Sequence, residues 1–399
     1  MRILHVWSSD YPWDVRVEKV NRALIASGNS VILVARNNRR LPRRETNDGL
    51  DIWRMGSISF GKLGSWINSV SSFPAFINPR WILHIFCVCR NTTPDLILVR
   101  DLPLAPAALW ISRLFRIPIV MDMAENYPAF LESLRETGTL NSMDLLIRSP
   151  TLARWVERYV IRRLSGIICV IEESVQRLIG LGIASDKIFL VRNTPYINTI
   201  PPESERNNAD LTIAYLGLVE RHRGVHELVQ AAYESRRQGK PLRIVVVGDG
   251  RGLDELRHMS IKLGVLGNGV ELLGRITNRD ALKLISNADI GAIPHMPCEA
   301  WNTTIPNKLF DYMSMGLPIL SSNVLPLQRI ISETQCGLIY EWGNIPDLMA
   351  KIEVLRTADT RYAMGRAGRT AVLTRYNWSK DGCNLAQSIE KIAIKQRVT

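Results

Sequence analysis

The sequence predicts an α/β protein: two doubly wound, Rossmann-like domains facing each other across a cleft. Three observations carry the two-domain α/β expectation. Short apolar strand-like runs alternate with amphipathic helical segments along nearly all of the 399 residues, the pattern of parallel sheets built from βαβ units. The alternation breaks at Asn193-Thr-Pro-Tyr-Ile-Asn-Thr-Ile-Pro-Pro-Glu-Ser-Glu-Arg-Asn-Asn208, a stretch rich in Pro, Asn and charge, as linkers are. Several strand-like runs end in glycines and polar residues just before a helical segment, where open parallel sheets bind ligands. The boundaries follow: residues 1–195 for the first domain, 196–209 for the linker, 210–375 for the second domain and 376–399 for a last helix.

In chain order, the strands of the first half are expected at Ile3–Trp7, Val31–Ala35, Leu96–Val99, Pro118–Asp122, Gly166–Ile171 and Ile188–Val191. Those of the second half are expected at Leu211–Leu216, Leu242–Gly248, Val270–Leu273, Asp289–Pro294, Pro318–Ser321 and Gly337–Tyr340. After the first strand, Asp14 can cap a helix whose buried stripe is Val17, Val20 and Leu24 and which Gly28 ends. That places Asp14, Arg16 and Trp13 at a crevice mouth. After the fourth strand of the first half, Asp122 and Glu125 in Val120-Met-Asp-Met-Ala-Glu-Asn-Tyr-Pro128 could orient an acceptor hydroxyl or share its proton. A buried structural carboxylate is the plainer alternative for each.

In the second half, Tyr215-Leu-Gly-Leu-Val-Glu-Arg-His-Arg-Gly224 reads as strand, Gly217, short loop and helix start, an anion-ready arrangement. Arg221 and Arg223 supply charge able to grip phosphate oxygens there. The most informative stretch is Ile305-Pro-Asn-Lys-Leu-Phe-Asp-Tyr-Met-Ser-Met-Gly-Leu-Pro-Ile319. Pro306 suits a first helical turn and Gly316 a helix stop, with Ile305, Leu309 and Met313 on one face. Lys308 adds a full charge near the helix start, and Asp311 could reach a ribose hydroxyl. Together these residues read as a nucleotide-diphosphate site.

Composition bounds the rest. Hydrophobic residues make up 46% and charged residues 22%, with mean hydropathy near zero, which suits a globular chain. The six cysteines (87, 89, 169, 298, 336, 383) form no C-x-x-C pair, so a reducing cytosol is expected over a disulfide framework. No Asp-x-Asp pair or His/Cys cluster has ligand spacing, so neither metal nor cofactor is expected. The apolar start, Met1 to Trp7, is too short for a signal peptide, and no run is long enough for a transmembrane helix.

The net charge of +12 suits an anionic partner. Arg36-Asn-Asn-Arg-Arg-Leu-Pro-Arg-Arg44 packs five arginines into what reads as one polar loop, without the interleaved aromatics of a nucleic-acid binder. Trp53, Phe60, Trp66, Phe73, Phe76, Trp81 and Phe86, with Lys62 and Arg80, suit either a bilayer interface or the core of the first domain.

These segments together resemble the GT-B-fold retaining glycosyltransferases called family 4, of bacterial surface-polysaccharide type. The matching segments are Asp14-Val-Arg-Val-Glu-Lys19, Arg100-Asp-Leu-Pro-Leu-Ala105, Asp122–Pro128, Gly217–Gly224, Gly248-Asp-Gly250, Leu273-Gly-Arg275 and Pro306–Met313. The resemblance implies transfer of a hexose-type sugar from a nucleotide-diphosphate sugar to a hydroxyl of a lipid-linked or oligosaccharide acceptor. It places the chain at the inner face of the plasma membrane, without nucleic acid as a partner. It assigns Arg223 and Lys308 to the diphosphate, Asp311 to the ribose, and the backbone at Arg275 and Ile276 to the base. Gly217, Arg221, Thr303, Thr304 and Asn307 would complete the donor site. Asp14, Asp122 and Glu125 would act in catalysis, and Trp13, Arg16 and Asp101 on the acceptor.

The chain departs from the family pattern at three positions. Thr303 stands where the first of two paired glutamates is usual, Leu218 replaces an arginine, and Ala124 replaces a histidine. A nucleotide-sugar 2-epimerase and a catalytically silent partner subunit are the alternative functions.

Overall fold

The computed structural model describes residues 1–56, 76–136, 149–200 and 210–398. The chain divides into two compact units, residues 1–193 with 380–399, and residues 194–379.

In the first unit the strands are β1 (Arg2–Asp10), β2 (Ser30–Arg36), β3 (Arg44–Asn47), β4 (Leu50–Arg54), β5 (Leu96–Arg100), β6 (Ile119–Met123), β7 (Gly166–Cys169) and β8 (Ile188–Leu190). They lie in the order β3-β4-β2-β1-β5-β6-β7-β8. All neighbours are parallel except β3 and β4. The helices are α1 (Val15–Ala26), α2 (Pro79–Thr92), α3 (Ala105–Phe115), α4 (Tyr127–Glu136), α5 (Pro150–Ile161) and α6 (Glu172–Gly180). Continuous apolar runs such as Leu96-Ile-Leu-Val99 are fully buried, as strands covered on both faces must be.

One expectation needs correcting here. The arginine-rich stretch is not one loop, because Arg44 opens β3. The β3–β4 hairpin turns at Asp48-Gly49, both with positive φ (49° and 79°), and Asp-Gly between short strands was the overlooked signal. Its arginines are also engaged: Arg39 lies 3.6 Å over the Trp13 ring, and Arg44 lies 4.4 Å over Trp53 while pairing with Asp51. Of the aromatic run, Trp81 is fully buried, and Trp53, Phe76 and Phe86 pack against the core. Phe60, Lys62, Trp66 and Phe73 lie outside the described residues.

The second unit has β9 (Leu211–Leu216), β10 (Leu242–Val247), β11 (Val270–Gly274), β12 (Ile290–Ile293), β13 (Ile319–Ser322) and β14 (Gly337–Tyr340). All are parallel, in the order β11-β10-β9-β12-β13-β14. Its helices are α7 (Val225–Arg237), α8 (Leu253–Lys262), α9 (Asn278–Ser286), α10 (Glu299–Asn302), α11 (Lys308–Ser314), α12 (Leu325–Thr334), α13 (Ile345–Leu355) and α14 (Ala358–Thr374).

The helix expected from Pro306 is shorter than its sequence suggested. Regular α11 has seven residues from Lys308, with Asn307 as its cap, while the Pro306 and Asn307 carbonyls accept from Leu309 and Phe310 in a tight lead-in. Its apolar face is as expected, since Ile305, Leu309 and Met313 are buried.

The last helix, α15 (Trp378–Val398), belongs to the first unit from Lys380 onward. It buries Leu385, Ile389 and Ile392. Asp381 accepts from the Arg192 amide at 3.2 Å, and Lys395 pairs with Asp186 at 2.5 Å. Gly166 lies beneath it, where a Cβ would come 2.5 Å from Ile392 Cδ1 and that side-chain end would have to shift.

Candidate active site

Both sheets reverse direction once, and the residues singled out from the sequence gather at those two places. In the second unit the order reverses between β9 and β12, the position where doubly wound sheets bind ligands at their carboxyl ends. From β9, Tyr215 is buried and donates its hydroxyl to the Leu218 carbonyl at 2.5 Å. Gly217 follows with φ of 131°. A Cβ on Gly217 would stand 3.2 Å from Lys308 Nζ, and one on Gly248 only 1.8 Å from the Gly217 carbonyl. The two glycines therefore let the β9 and β10 loops close up while leaving room for the lysine.

Lys308 is 7% exposed, with Nζ 3.8 Å from the Tyr215 ring centroid and no hydrogen-bond partner. Burial, then the charge of Arg223, holds its pKa well below the ordinary ammonium range, with Asp311 pulling the other way. Arg223 ends a 3-10 turn, Arg221–Arg223. Its guanidinium lies 5.0 Å from the Trp301 ring, and its Nε has no partner.

From β12, His295 is fully buried 4.1 Å from the same Trp301 ring, and neither of its ring nitrogens has a partner. Burial first, then Lys308, Arg223 and His222, holds His295 well below the usual imidazole range. His222 stacks on the Trp301 ring at 5.9 Å. The indole nitrogens of Trp301 and Trp342 are also buried and unpartnered. Gly224 is fixed here too: a Cβ would lie 1.7 Å from the Pro294 carbonyl. The result is a knot of buried donors, two of them cationic side chains. An oxyanion ligand is what such a set binds well, since buried donors without acceptors cost free energy.

The remaining donor-side candidates divide. Asp311 is half-buried in the first turn of α11. Asn307 is exposed and Thr304 half-buried on the lead-in to that helix. Thr303 donates its hydroxyl to the Glu299 carbonyl at 2.6 Å, as a cap for short α10. Arg275 is exposed and Ile276 half-buried just after β11. Arg221 departs from expectation, because its exposed guanidinium makes a paired contact with Glu255 at 2.8 and 3.0 Å. Sequence reasoning missed His295, Trp301 and Trp342. His295 could have been found, since it directly follows a strand expected to end at Pro294; the tryptophans carry no such positional signal.

In the first unit the order reverses between β1 and β5. Asp14 caps α1 as expected, accepting from the Val17 amide at 2.8 Å. Trp13 is 51% exposed beside it. Arg16, expected at a crevice mouth, is instead 2% exposed, and Asp122, for which a buried structural carboxylate was the alternative, is 1% exposed. Arg16 Nη2 donates to Asp122 at 2.6 Å and Nε at 2.9 Å, and Nη2 also donates to the Val191 carbonyl at 3.1 Å. Burial would raise the Asp122 pKa, but Arg16 and Arg100 outweigh it and hold the carboxylate below its usual range. A carboxylate so paired is a poor proton acceptor, which fits a structural ion pair.

Asp101, at φ of 57°, accepts from the Ala124 amide at 2.8 Å and the Glu125 amide at 3.4 Å. Burial raises its pKa, with Arg100 opposing. Glu125 is exposed on the same loop, so Asp101 tethers the loop that carries it. Among the described residues no cluster of three or more His, Cys, Asp or Glu could hold a metal ion, and all six cysteines are free.

Residues 14–194 match the family described as glycosyl transferase 4-like domain, and residues 210–357 match glycosyl transferases group 1. The chain is 22% identical to glycogen synthase of Mycobacterium tuberculosis over 412 residues, covering 97% of this chain and 94% of that one. Sucrose-phosphate synthase from Thermosynechococcus elongatus has the same fold, with a TM-score of 0.77 at 15% identity over 99% of both chains. So does Anabaena HepE, solved in complex with UDP, with a TM-score of 0.70 at 13% identity over 98% of this chain and 100% of that one. With two parallel α/β units, a matching family over each and these neighbours, the chain is a glycosyltransferase of the GT-B fold.

Proposed function

We propose that the protein transfers a hexose-type sugar, with retention, from a nucleotide-diphosphate sugar to a hydroxyl of a lipid-linked glycan in surface-polysaccharide assembly. It would work as a peripheral protein at the cytoplasmic face of the membrane. The observation that carries the donor half of this reading is the set of buried, unpartnered donors around Lys308, Arg223 and His295. In the proposed complex the diphosphate accepts from Lys308 Nζ and Arg223, backed by the Gly217 backbone, and Asp311 takes the ribose hydroxyls. Preorganised charge of this kind stabilises a departing diphosphate without reorganisation. The leaving phosphate then takes the acceptor proton on the face from which the acceptor attacks, so no carboxylate nucleophile is needed.

Losing a hydrogen bond to a charged group costs about 1.5–3 kcal/mol. Lys308→Ala and Arg223→Ala should therefore each weaken binding of UDP, or whichever nucleoside diphosphate binds best, by roughly 10- to 100-fold in calorimetry. Unchanged affinity in both variants would sink the assignment. The Thr303 hydroxyl, bonded to Glu299 rather than presented as a carboxylate, favours one second reading, a donor-binding partner without turnover. Product analysis over a panel of nucleotide sugars with a lipid-diphosphate acceptor separates the two.

A further inference from the structure

Helix α3 packs between α2 and α5 in the first unit. Between α2 and α3 runs an open groove of about 680 Å³, walled by Phe76, Ile82, Phe86, Leu109 and Trp110. Among the described residues, only the Trp110 indole and the Arg113–Tyr159 end offer side-chain hydrogen-bonding groups to it. The apolar surface continues past the groove, with Ile77 77%, Leu83 63%, Trp110 56% and Trp155 74% exposed. Patches of this extent on one face mark an interaction site.

The charge on the same helices is one-sided. Arg90, Arg113, Arg116, Arg158, Arg162 and Arg163 are exposed. Within segments 79–92, 105–116 and 150–163 the one acidic residue is Glu157, which is buried and paired with Arg177. At the groove end two arginines converge on Tyr159: Arg163 lies 3.9 Å over its ring, and Arg113 donates to its hydroxyl at 3.3 Å. Like charges brought together without a carboxylate are stabilised by an anion from outside.

We propose that this face, and not the arginine-rich stretch before β3, docks the protein on an anionic phospholipid bilayer, with acyl chain in the α2–α3 groove and lipid phosphates on the arginines at its rim. A trough walled by hydrocarbon accepts hydrocarbon. Trp110, Trp155 and Tyr159 suit the headgroup level, and the arginines reach the phosphates above them. A second copy fits poorly, because it would bring two such arginine sets face to face.

The proposal gives the lipid-linked reading a physical surface, and its test is read separately from the donor site. Full-length protein is sedimented with vesicles of phosphatidylcholine alone or mixed with phosphatidylglycerol, and UDP binding is measured on the same samples. Wild type should partition onto the anionic vesicles and be released by salt. Leu83→Glu and Trp110→Glu should each lower that partition by about tenfold or more, with UDP binding unchanged. Ile261→Glu, an exposed apolar site in the second unit, should lower neither. Vesicle binding unaltered by Leu83→Glu and Trp110→Glu overturns the proposal. So does a lipid-free dimer that those substitutions dissolve, which would assign the groove to a second copy. Lost UDP binding in Lys308→Ala with vesicle binding intact leaves the groove assignment standing.

Discussion

Single residues set the acid limit of this molecule. Burial, then the charge of Arg223, pulls His222 from 6.5 down to about 4, and His295 is lowered by burial first and then by Lys308, Arg223 and His222. A histidine whose folded pKa lies below its unfolded one binds its proton more readily when the chain is unfolded. Its stability is therefore full above 6.5 and is lost as pH falls through 6.5 toward 4. Asp101 and Glu227, raised by burial, act in the opposite sense at the acid end. Melting temperature should drop between pH 6.5 and 4, and His222→Phe should flatten part of that drop; a level profile would refute the account. Gly248 is a second sensitive residue, with φ of 149° and a Cβ position 1.8 Å from a neighbouring carbonyl. Gly248→Ala should lower stability by about 1–3 kcal/mol or more from strain alone, read in urea unfolding, and should weaken UDP binding by shifting the Gly217 loop.

At the scale of elements, α1 and β6 are joined by the buried Arg16–Asp122 pair. Removing one partner of such a pair typically costs about 3–5 kcal/mol, whereas replacing both with apolar residues is often near neutral. Arg16→Met should therefore destabilise strongly in urea unfolding, and adding Asp122→Leu should recover much of the loss. An Arg16→Met protein of normal stability but no activity would return Arg16 to the acceptor site. Elements were also where the sequence was most legible. The strands and the Asp14 cap lay close to expectation because short continuous apolar runs and capping chemistry are local. The β3–β4 hairpin was hidden by the arginines around it. The short α11 was overdrawn because Pro306 suits both a first helical turn and the tight lead-in found here. The pairing of Arg16 with Asp122, 106 residues apart, has no local signature.

At the scale of the whole molecule, alternating strands and helices were enough to give two parallel sheets, and the switch-point rule then placed Gly217, Lys308 and Arg223 correctly beside one another. The same rule could not say which arginine turns inward: Arg221 found Glu255, a partner supplied by α8, while Arg223 stayed with Trp301. One feature is visible only at this scale, the return of residues 380–399 to the first unit. Removing them should strip the cover from Leu385, Ile389 and Ile392's docking site beside Gly166. The shortened protein should bind more of a hydrophobic dye and melt earlier, while UDP binding by the second unit persists. The same return also fixes an order in time. At about 5–20 residues per second, the ribosome must finish the entire second unit before the helix that completes the first is made. For that interval the nascent first unit carries an uncovered apolar patch beside Gly166.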